Sequence, residues 1–437
     1  MYKFSKEAEE AINLIQNTDE NVFVTGKAGT GKSTLLEHIR LHTERRIIVV
    51  APTGISAINV NGDTIHSFFG LKPGFEKDEA MSMRIDEKKA AKFRRIKTIA
   101  IDEISMVRAD LLDAIDIVLR RSRKIEKPFG GVQMVFFGDL YQLPPVITAR
   151  DRDKFFAEYE SPYFFDATVF RGQGDMFSAG FELKVIELKK IYRQKDMKFI
   201  DVLNAVRDNS MSDQHMKTLN SRCDNNFVPK DSDKYIYLMT TNAQAALINT
   251  EKLKQLKADE KIFIADKKGD VARNLFPNDE VINLSVGAQV MFISNDSERR
   301  WVNGTIGKII DIYEKLNHET GQMEPVVRVE KTDGKTVDVK KHTWDISRYV
   351  FMGGEFQRQN LGSYEQIPMK LAWAITIHKS QGKTFEKVII DLGSGSFAHG
   401  QTYVALSRCT SLEGLVLKKP ITKASIIMDR RVQNFSC

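Results

Sequence analysis

Residues Asn21-Val-Phe-Val-Thr-Gly-Lys-Ala-Gly-Thr-Gly-Lys-Ser33 run from an apolar stretch through a glycine-rich turn into a helix-forming segment. From Gly26 onward this is the phosphate-loop pattern G-x-x-x-x-G-K-S/T, with a strand before it and a helix after it. The glycines let backbone N–H groups close around phosphates, and the helix adds its positive N-terminal end. Gly26, Ala28, Gly29, Thr30, Gly31 and Thr34 are therefore expected around a nucleotide. Lys32 is expected on the β- and γ-phosphates and the Ser33 hydroxyl on Mg2+, so the cofactors called for are ATP and Mg2+. The loop leaves open what the energy drives.

Outward from the loop, short apolar runs recur at Ile47–Ala51, Thr98–Ile101 and Val132–Phe137, with helical segments at 33–42 and 109–123 and a helical period over 6–16. Strands alternating with helices predict a parallel α/β sheet, which binds ligands at the carboxyl ends of its strands. The pattern restarts near residue 180, with strands at Val185–Leu188, Tyr235–Met239, Lys387–Asp391 and Leu415–Leu417 and helices at 197–208 and 243–257. Between 291 and 363 the runs become β-branched and alternating, with turns at Asn303-Gly304 and Asp333-Gly334. The expected organisation is a first α/β domain over 1–176, a second over 177–290 plus 364–437, and a small all-β module over 291–363 inserted in the second. The charged stretch 76–97 reads as a surface excursion.

The bulk numbers narrow the class. A chain of 437 residues exceeds what one core usually supports. Its net charge of +7 suits a polyanionic partner. Cys223, Cys409 and Cys437 are far apart, which excludes a disulfide framework and a cysteine metal site and points to a reducing compartment. No apolar stretch approaches the roughly 18 residues of a membrane span, and no signal or transit peptide is read at the N-terminus. Cytoplasm or nucleoid is the expected location, with no membrane partner.

Three further segments carry chemistry. Thr98-Ile-Ala-Ile-Asp-Glu103 ends an apolar strand in two carboxylates; Asp102 suits Mg2+ and Glu103 suits the base that polarises attacking water. In Gly138-Asp-Leu-Tyr-Gln-Leu-Pro-Pro145, Gln142 can sense the γ-phosphate and the prolines stiffen the exit. Arg193 and Arg408 are the candidate arginine fingers; such a residue is worth ~10³ to 10⁵ in rate. For nucleic acid, Pro52-Thr-Gly54 follows a strand, His66, Phe68 and Phe69 offer an imidazole and two rings for stacking, Thr241 and Asn242 sit at a second strand end, and His378 and Lys379 add a donor and a cation.

Taken in order, these residues resemble the petite-integration-frequency (PIF) family of DNA helicases, in the RecD-like 5′-to-3′ branch of superfamily one. Gly26–Thr34 is similar to motif I, Thr53-Gly-Ile-Ser-Ala57 to motif Ia, and Asp102-Glu-Ile-Ser-Met106 to motif II. Pro128-Phe-Gly-Gly-Val-Gln133 through Pro145 resembles motif III and the signature before it, and Tyr192-Arg193-Gln194 motif IV. Leu371 to Gly382 resembles motif V, and Ala405-Leu-Ser-Arg408 motif VI. The resemblance implies two RecA-like domains with ATP between them and single-stranded DNA across their tops. It adds Gln381 and Gly382 to the nucleotide site, makes the β-module SH3-like, and casts 61–75 as a wedge loop. It implies forked or G-quadruplex DNA as partners and a monomeric motor, with an RNA helicase or a non-unwinding strand-binding ATPase as alternatives. One departure stands out: the family's adenine-reading Gln is replaced by Ala8 in Phe4-Ser-Lys-Glu-Ala8, so base selectivity is expected to be weak.

Overall fold

The computed structural model describes residues 4–436 except 44, 73, 75, 172–180, 195, 231–232, 270, 317–320, 353–354, 394 and 397. The chain divides into two compact units. Unit 1 takes Met1–Tyr192, Ser347–Asn360 and Asp429–Cys437; unit 2 takes Arg193–Ile346 and Leu361–Met428.

Six strands of unit 1 form one parallel sheet: β1 (Val22–Gly26), β2 (Ile47–Ala51), β3 (Asp63–Thr64), β4 (Thr98–Ile101), β5 (Gln133–Phe137) and β6 (Lys184–Leu188). Their spatial order is β3-β2-β4-β5-β1-β6. Every residue of β1, β4 and β5 is buried, as in a parallel sheet covered on both faces, and this is why they read as unbroken apolar runs. On one face α1 (Lys6–Asn17) and α2 (Lys32–His42) contribute Ala11, Ile15, Leu35 and Ile39. Short helices α3 (Gly54–Asn59) and α4 (Ile65–Phe69) follow β2 and β3, and α5 (Glu76–Ser82), α6 (Glu87–Arg94) and α7 (Ala109–Arg123) complete the other face.

Helix α7 carries buried carboxylates at Asp110, Asp113 and Asp116, a spacing of three that keeps them on neighbouring turns. Each is satisfied by the loops around it. Asp113 accepts from the Tyr159 hydroxyl at 2.7 Å, from the Thr168 N–H and hydroxyl, and from the Val169 N–H. Asp116 accepts from the Phe129 N–H at 2.5 Å and pairs with Arg120. Bonds of this kind offset the cost of burying a carboxylate and hold irregular chain in place.

Four places in this half differ from the plain reading of the chain. The stretch 76–97 is two helices closing the core, with Ala80, Ala90, Phe93 and Ile96 buried; Glu76 is buried as well, while Glu87, Lys88 and Arg94 are exposed. Residues 61–75 are not a plain loop, since β3 pairs with β2 and α4 buries Ile65, Phe68 and Phe69. The strand at 185–188 belongs to the first sheet, pairing Val22 with Lys184 through Gly26 with Leu188. It is a half-exposed edge strand, and its sequence does not encode which sheet it joins. Unit 1 also extends to Tyr192 and gathers the later segments Ser347–Asn360 and Asp429–Cys437; the expected boundary at 176 lies outside the described residues.

Unit 2 holds a four-stranded parallel sheet in the order Ala374–Thr376, Ile236–Met239, Val388–Asp391, Leu415–Leu417. With the first sheet this makes the two RecA-like α/β domains expected. The all-β module is a five-stranded antiparallel sheet ordered Thr336–Val339, Met323–Lys331, Ile306–Leu316, Gln289–Phe292, Met369–Leu371. It is broader than 291–363 because Gln289–Phe292 pairs with Met369–Leu371, a strand of only three residues that periodicity does not reveal. Phe292 stacks on Trp301, with ring centroids 4.6 Å apart, in the core of this module.

Candidate nucleotide and nucleic-acid sites

Because β1, β2, β4, β5 and β6 run parallel, their carboxyl ends deliver their loops to one edge. Gly26 ends β1 at φ +151°, and a Cβ there would lie 2.6 Å from the Leu188 carbonyl oxygen of β6, so only glycine fits. Gly31 takes φ +88° as it enters α2. Lys32 folds back over the loop, its Nζ donating to the carbonyls of Gly26 at 2.7 Å and Lys27 at 3.2 Å. The Thr30 hydroxyl donates to the Lys27 carbonyl. Ser33 and Thr34 stand exposed on the first turn of α2.

At the end of β4, Asp102 is 8% exposed, and its N–H donates to the Val50 carbonyl of β2. Burial, and then the negative charge of Glu103, push its carboxyl up to about 7, while Lys32 acts in the opposite sense. Glu103 sits at φ +50°, left-handed backbone that costs a non-glycine residue of order 1–3 kcal/mol. Strain of this kind is stored where a side chain must be aimed. Behind it Gly138 packs so tightly that a Cβ would meet Ile104 Cγ2 at 2.8 Å, which joins the ends of β4 and β5. Gln142 is buried, its Nε2 donating to Asp139 Oδ2 at 3.2 Å.

Tyr192 is a residue that sequence reasoning quoted without giving it a role. Its N–H donates to the Gly29 carbonyl at 2.9 Å, and its ring, 53% exposed, lies beside Gly31 with Lys190 Nζ 5.0 Å from its centroid. The available signal was an aromatic directly before Arg193. Ala8 is buried on the core face of α1, so that position offers no group to a base.

In unit 2, Arg193 reaches the Gly382 carbonyl through Nη2 at 3.4 Å, and Gln194 donates to the carbonyls of Ser407 and Cys409. Arg408 is 1% exposed, with Nε on the Val404 carbonyl, Nη1 on those of Ser380 and Lys383, and Nη2 on the Ser407 hydroxyl. It is buried in these bonds, and its donors hold the turn that carries Ser380 and Lys383. Gln381 is half-buried and Gly382 exposed beside it.

The nucleic-acid residues divide. Thr53 follows Pro52 and caps α3, its hydroxyl accepting from the Ser56 N–H at 3.2 Å, with Gly54 beginning the helix. Thr241 caps the helix Asn242–Gln255 in the same way through the Gln244 N–H. His66 is held by Glu76 at 3.2 Å. Against the burial that would raise it, hydrogen bonds from His66 and Asp110 and the Arg108 charge draw Glu76 down to about 2. Lys379 is exposed and His378 half-buried, and burial lowers the imidazole's pKa. Phe68 and Phe69 do not meet the expectation of base stacking. They are 2% and 0% exposed, and Phe69 lies stacked on Phe93 in the core, because an apolar pair on a short helix beside the sheet gains more from burial.

A phosphate loop after β1, a buried glutamine after the adjacent β5 and two carboxylates after β4, one strand further out, are the residue set of a phosphate-loop nucleoside-triphosphate site. The model for "PIF1-like helicase" matches residues 3–217. The ATP-dependent DNA helicase PIF1 of Mus musculus is 34% identical over 94% of this chain. The chain spans only 59% of that relative's length and 61% of the Rattus norvegicus one. The Pif1 of Bdellovibrio bacteriovorus is 31% identical, with 99% of this chain matching 91% of its own. Bacteroides sp. Pif1 in complex with ADP-AlF4 superposes with a TM-score of 0.88 at 36% identity, covering 100% of this chain and 97% of that one. A structure of Bacteroides Pif1 bound to single-stranded DNA and one of two coordinating Pif1 helicases at forked duplex DNA match with TM-scores of 0.67 and 0.66. The chain belongs to the PIF1-like helicase family.

Proposed function

We propose that this chain is an ATP-driven motor that moves 5′ to 3′ on single-stranded DNA and separates duplexes. The observation that carries the reading is the gathering of Lys32, Ser33, Asp102, Glu103 and Gln142 at the carboxyl edge of one parallel sheet, in a chain of the PIF1-like family. The loop holds ATP, and Lys32 exchanges its bonds to Gly26 and Lys27 for phosphate oxygens. Ser33 and Asp102 would hold Mg2+, which would neutralise phosphate charge there. Asp102 fits that use, since a cation beside a desolvated carboxyl removes the penalty that raises it. Glu103 orients the attacking water and Gln142 reports the γ-phosphate. Arg193 and Arg408 are assigned to the transferring phosphate, Arg408 after release from its backbone partners. The nucleobase is assigned to the Tyr192 ring; stacking tolerates any base, in keeping with Ala8.

Pro52, Thr53, Gly54, His66, Thr241, Asn242, His378 and Lys379 are assigned to the strand. The Bacteroides protein's complex with single-stranded DNA and the Pif1 structure at forked duplex DNA support DNA as the partner. We extend the reading to G-quadruplex DNA, to a single copy as the moving unit, and to the cytoplasm or nucleoid; among the described residues no helix is long and apolar enough to cross a membrane. The direct test compares forks bearing only a 5′ or only a 3′ tail. Unwinding of the 5′-tailed fork alone is expected, and activity confined to the 3′-tailed fork overturns the polarity. Stimulation of ATP hydrolysis by RNA and not by DNA of matched sequence would transfer the chain to the RNA class.

A further inference from the structure

We propose that Lys370, Lys379 and Lys383 together form a grip for the phosphate backbone of a single strand, placed where the β-module meets the motif V turn. This rests on the strand-translocating reading and adds to the already assigned Lys379 two side chains outside the motifs, Lys370 and Lys383.

Three segments of unit 2 converge here. Lys370 lies in the edge strand Met369–Leu371, opposite Met291. Lys379 stands exposed in the turn His378–Ser380. Lys383 follows that turn and runs beneath the β-module's own turn: its Nζ donates to Asn303 Oδ1 at 2.6 Å, and its Cβ lies 3.6 Å from where a side chain on Gly304 would begin. The Gly304 N–H is tied to the Phe292 carbonyl, so that turn is anchored in the module's sheet. The β-module thus fixes one lysine through its edge strand and clamps another through Asn303.

The charges at this junction are poorly balanced. The one carboxylate paired with any of the three, among the described residues, is Asp279, 3.7 Å from Lys370 and itself 75% exposed. Burial, and then the charge of Lys370, lower the Lys383 ammonium to about 8; burial and the charge of Lys379 lower Lys370. Gathering like charges with so little compensation costs stability in the free protein. A phosphodiester between them removes the repulsion and replaces the lost hydration, and backbone phosphates repeat at the spacing a row of lysines can follow. His378, its pKa lowered by burial, adds no charge at neutral pH, so the electrostatic share of binding here falls to the lysines.

The test is anisotropy of a labelled oligothymidine of about 16 nucleotides, titrated over roughly 50 to 300 mM salt. Each lost phosphate contact lowers the slope of log K against log salt by about 0.7 for a single strand. K370Q/K383Q is expected to lower it by about 1.4, and K370R/K383R to keep it, because charge and not shape does the binding. If the double Gln variant melts early, K370Q and K383Q singly should each lose about 0.7. An unchanged slope in the Gln variants, or an equal loss in the Arg variant, overturns the grip. Failure of the unaltered protein to bind the oligonucleotide at any salt instead overturns the strand-binding reading beneath it.

Discussion

The side-chain amide of Gln194 donates to the carbonyl oxygen of Ser407 at 3.1 Å, and also to that of Cys409. Residues 213 positions apart are thereby joined, and their neighbours Arg193 and Arg408 are held in one region of unit 2. Gln194 is buried, so the bonds are made away from water.

Gln194→Ala leaves two buried carbonyls without that donor. Each such loss costs about 1–3 kcal/mol, and partial relaxation brings the expected destabilisation to roughly 2–4 kcal/mol by urea unfolding. Turnover of ATP should fall more than its KM rises, because the substitution misplaces phosphate-stabilising groups and leaves the loop of unit 1 intact. A variant with unaltered turnover would separate Gln194 from the chemistry.

Lys32→Ala removes the ammonium that closes on Gly26 and Lys27. Loss of a positioned donor to developing phosphate charge costs about 10² to 10³ in rate, and DNA-stimulated hydrolysis should fall at least that far in a phosphate-release assay. Retained stimulation would remove the loop from the site.

Phe69→Ala should reduce stability by about 3–5 kcal/mol, since the ring is wholly buried against Phe93 and Phe68. Thermal unfolding reads this directly. Once the variant is kept folded at low temperature, its affinity for single strands should match that of the parent. A large, specific loss of DNA affinity in a stable variant would restore the stacking role.

Lys92 supplies the pH test. Burial first lowers its pKa to about 8, and its Nζ donates to the Phe68 carbonyl beside the Phe68 ring. Its folded pKa lies below the unfolded value near 10.5, so above pH 8 the folded form loses its proton while the unfolded form keeps it. Stability therefore rises with pH between about 8 and 10.5, and the full cost of the buried charge is present below 8. Lys92→Met should flatten that rise, by roughly 3 kcal/mol between neutral pH and the top of the window, as measured by urea unfolding at each pH. An identical pH profile in both proteins would refute the assignment.

Much of this was legible in the chain. Ile47–Ala51, Thr98–Ile101 and Leu415–Leu417 were read as strands to the residue, because runs buried on both faces carry no competing pattern. Lys32, Asp102, Glu103 and Gln142 were legible for a related reason: each sits a residue or a few beyond such a run, and a parallel sheet carries all those ends to one edge. The stretch 76–97 was misread because two short helices with charged outer faces resemble a solvated loop when their few inward residues, Ala80, Ala90 and Phe93, are thinly spaced. Phe68 and Phe69 were misread because ring type says nothing about which side of a helix faces the core.

The sequence by itself determined the phosphate loop, the order of the motifs, the two α/β halves and the family, since these depend on residue type and local period. Tertiary structure alone decided that 184–188 completes the first sheet and that Arg408 is buried in backbone bonds. It also placed the Tyr192 ring over the loop and gathered Lys370, Lys379 and Lys383 around one turn. Those outcomes turn on which distant segments pair and how a charge is compensated once buried. Neither is set by neighbours along the chain, because both arise only when the packed core has fixed which surfaces remain.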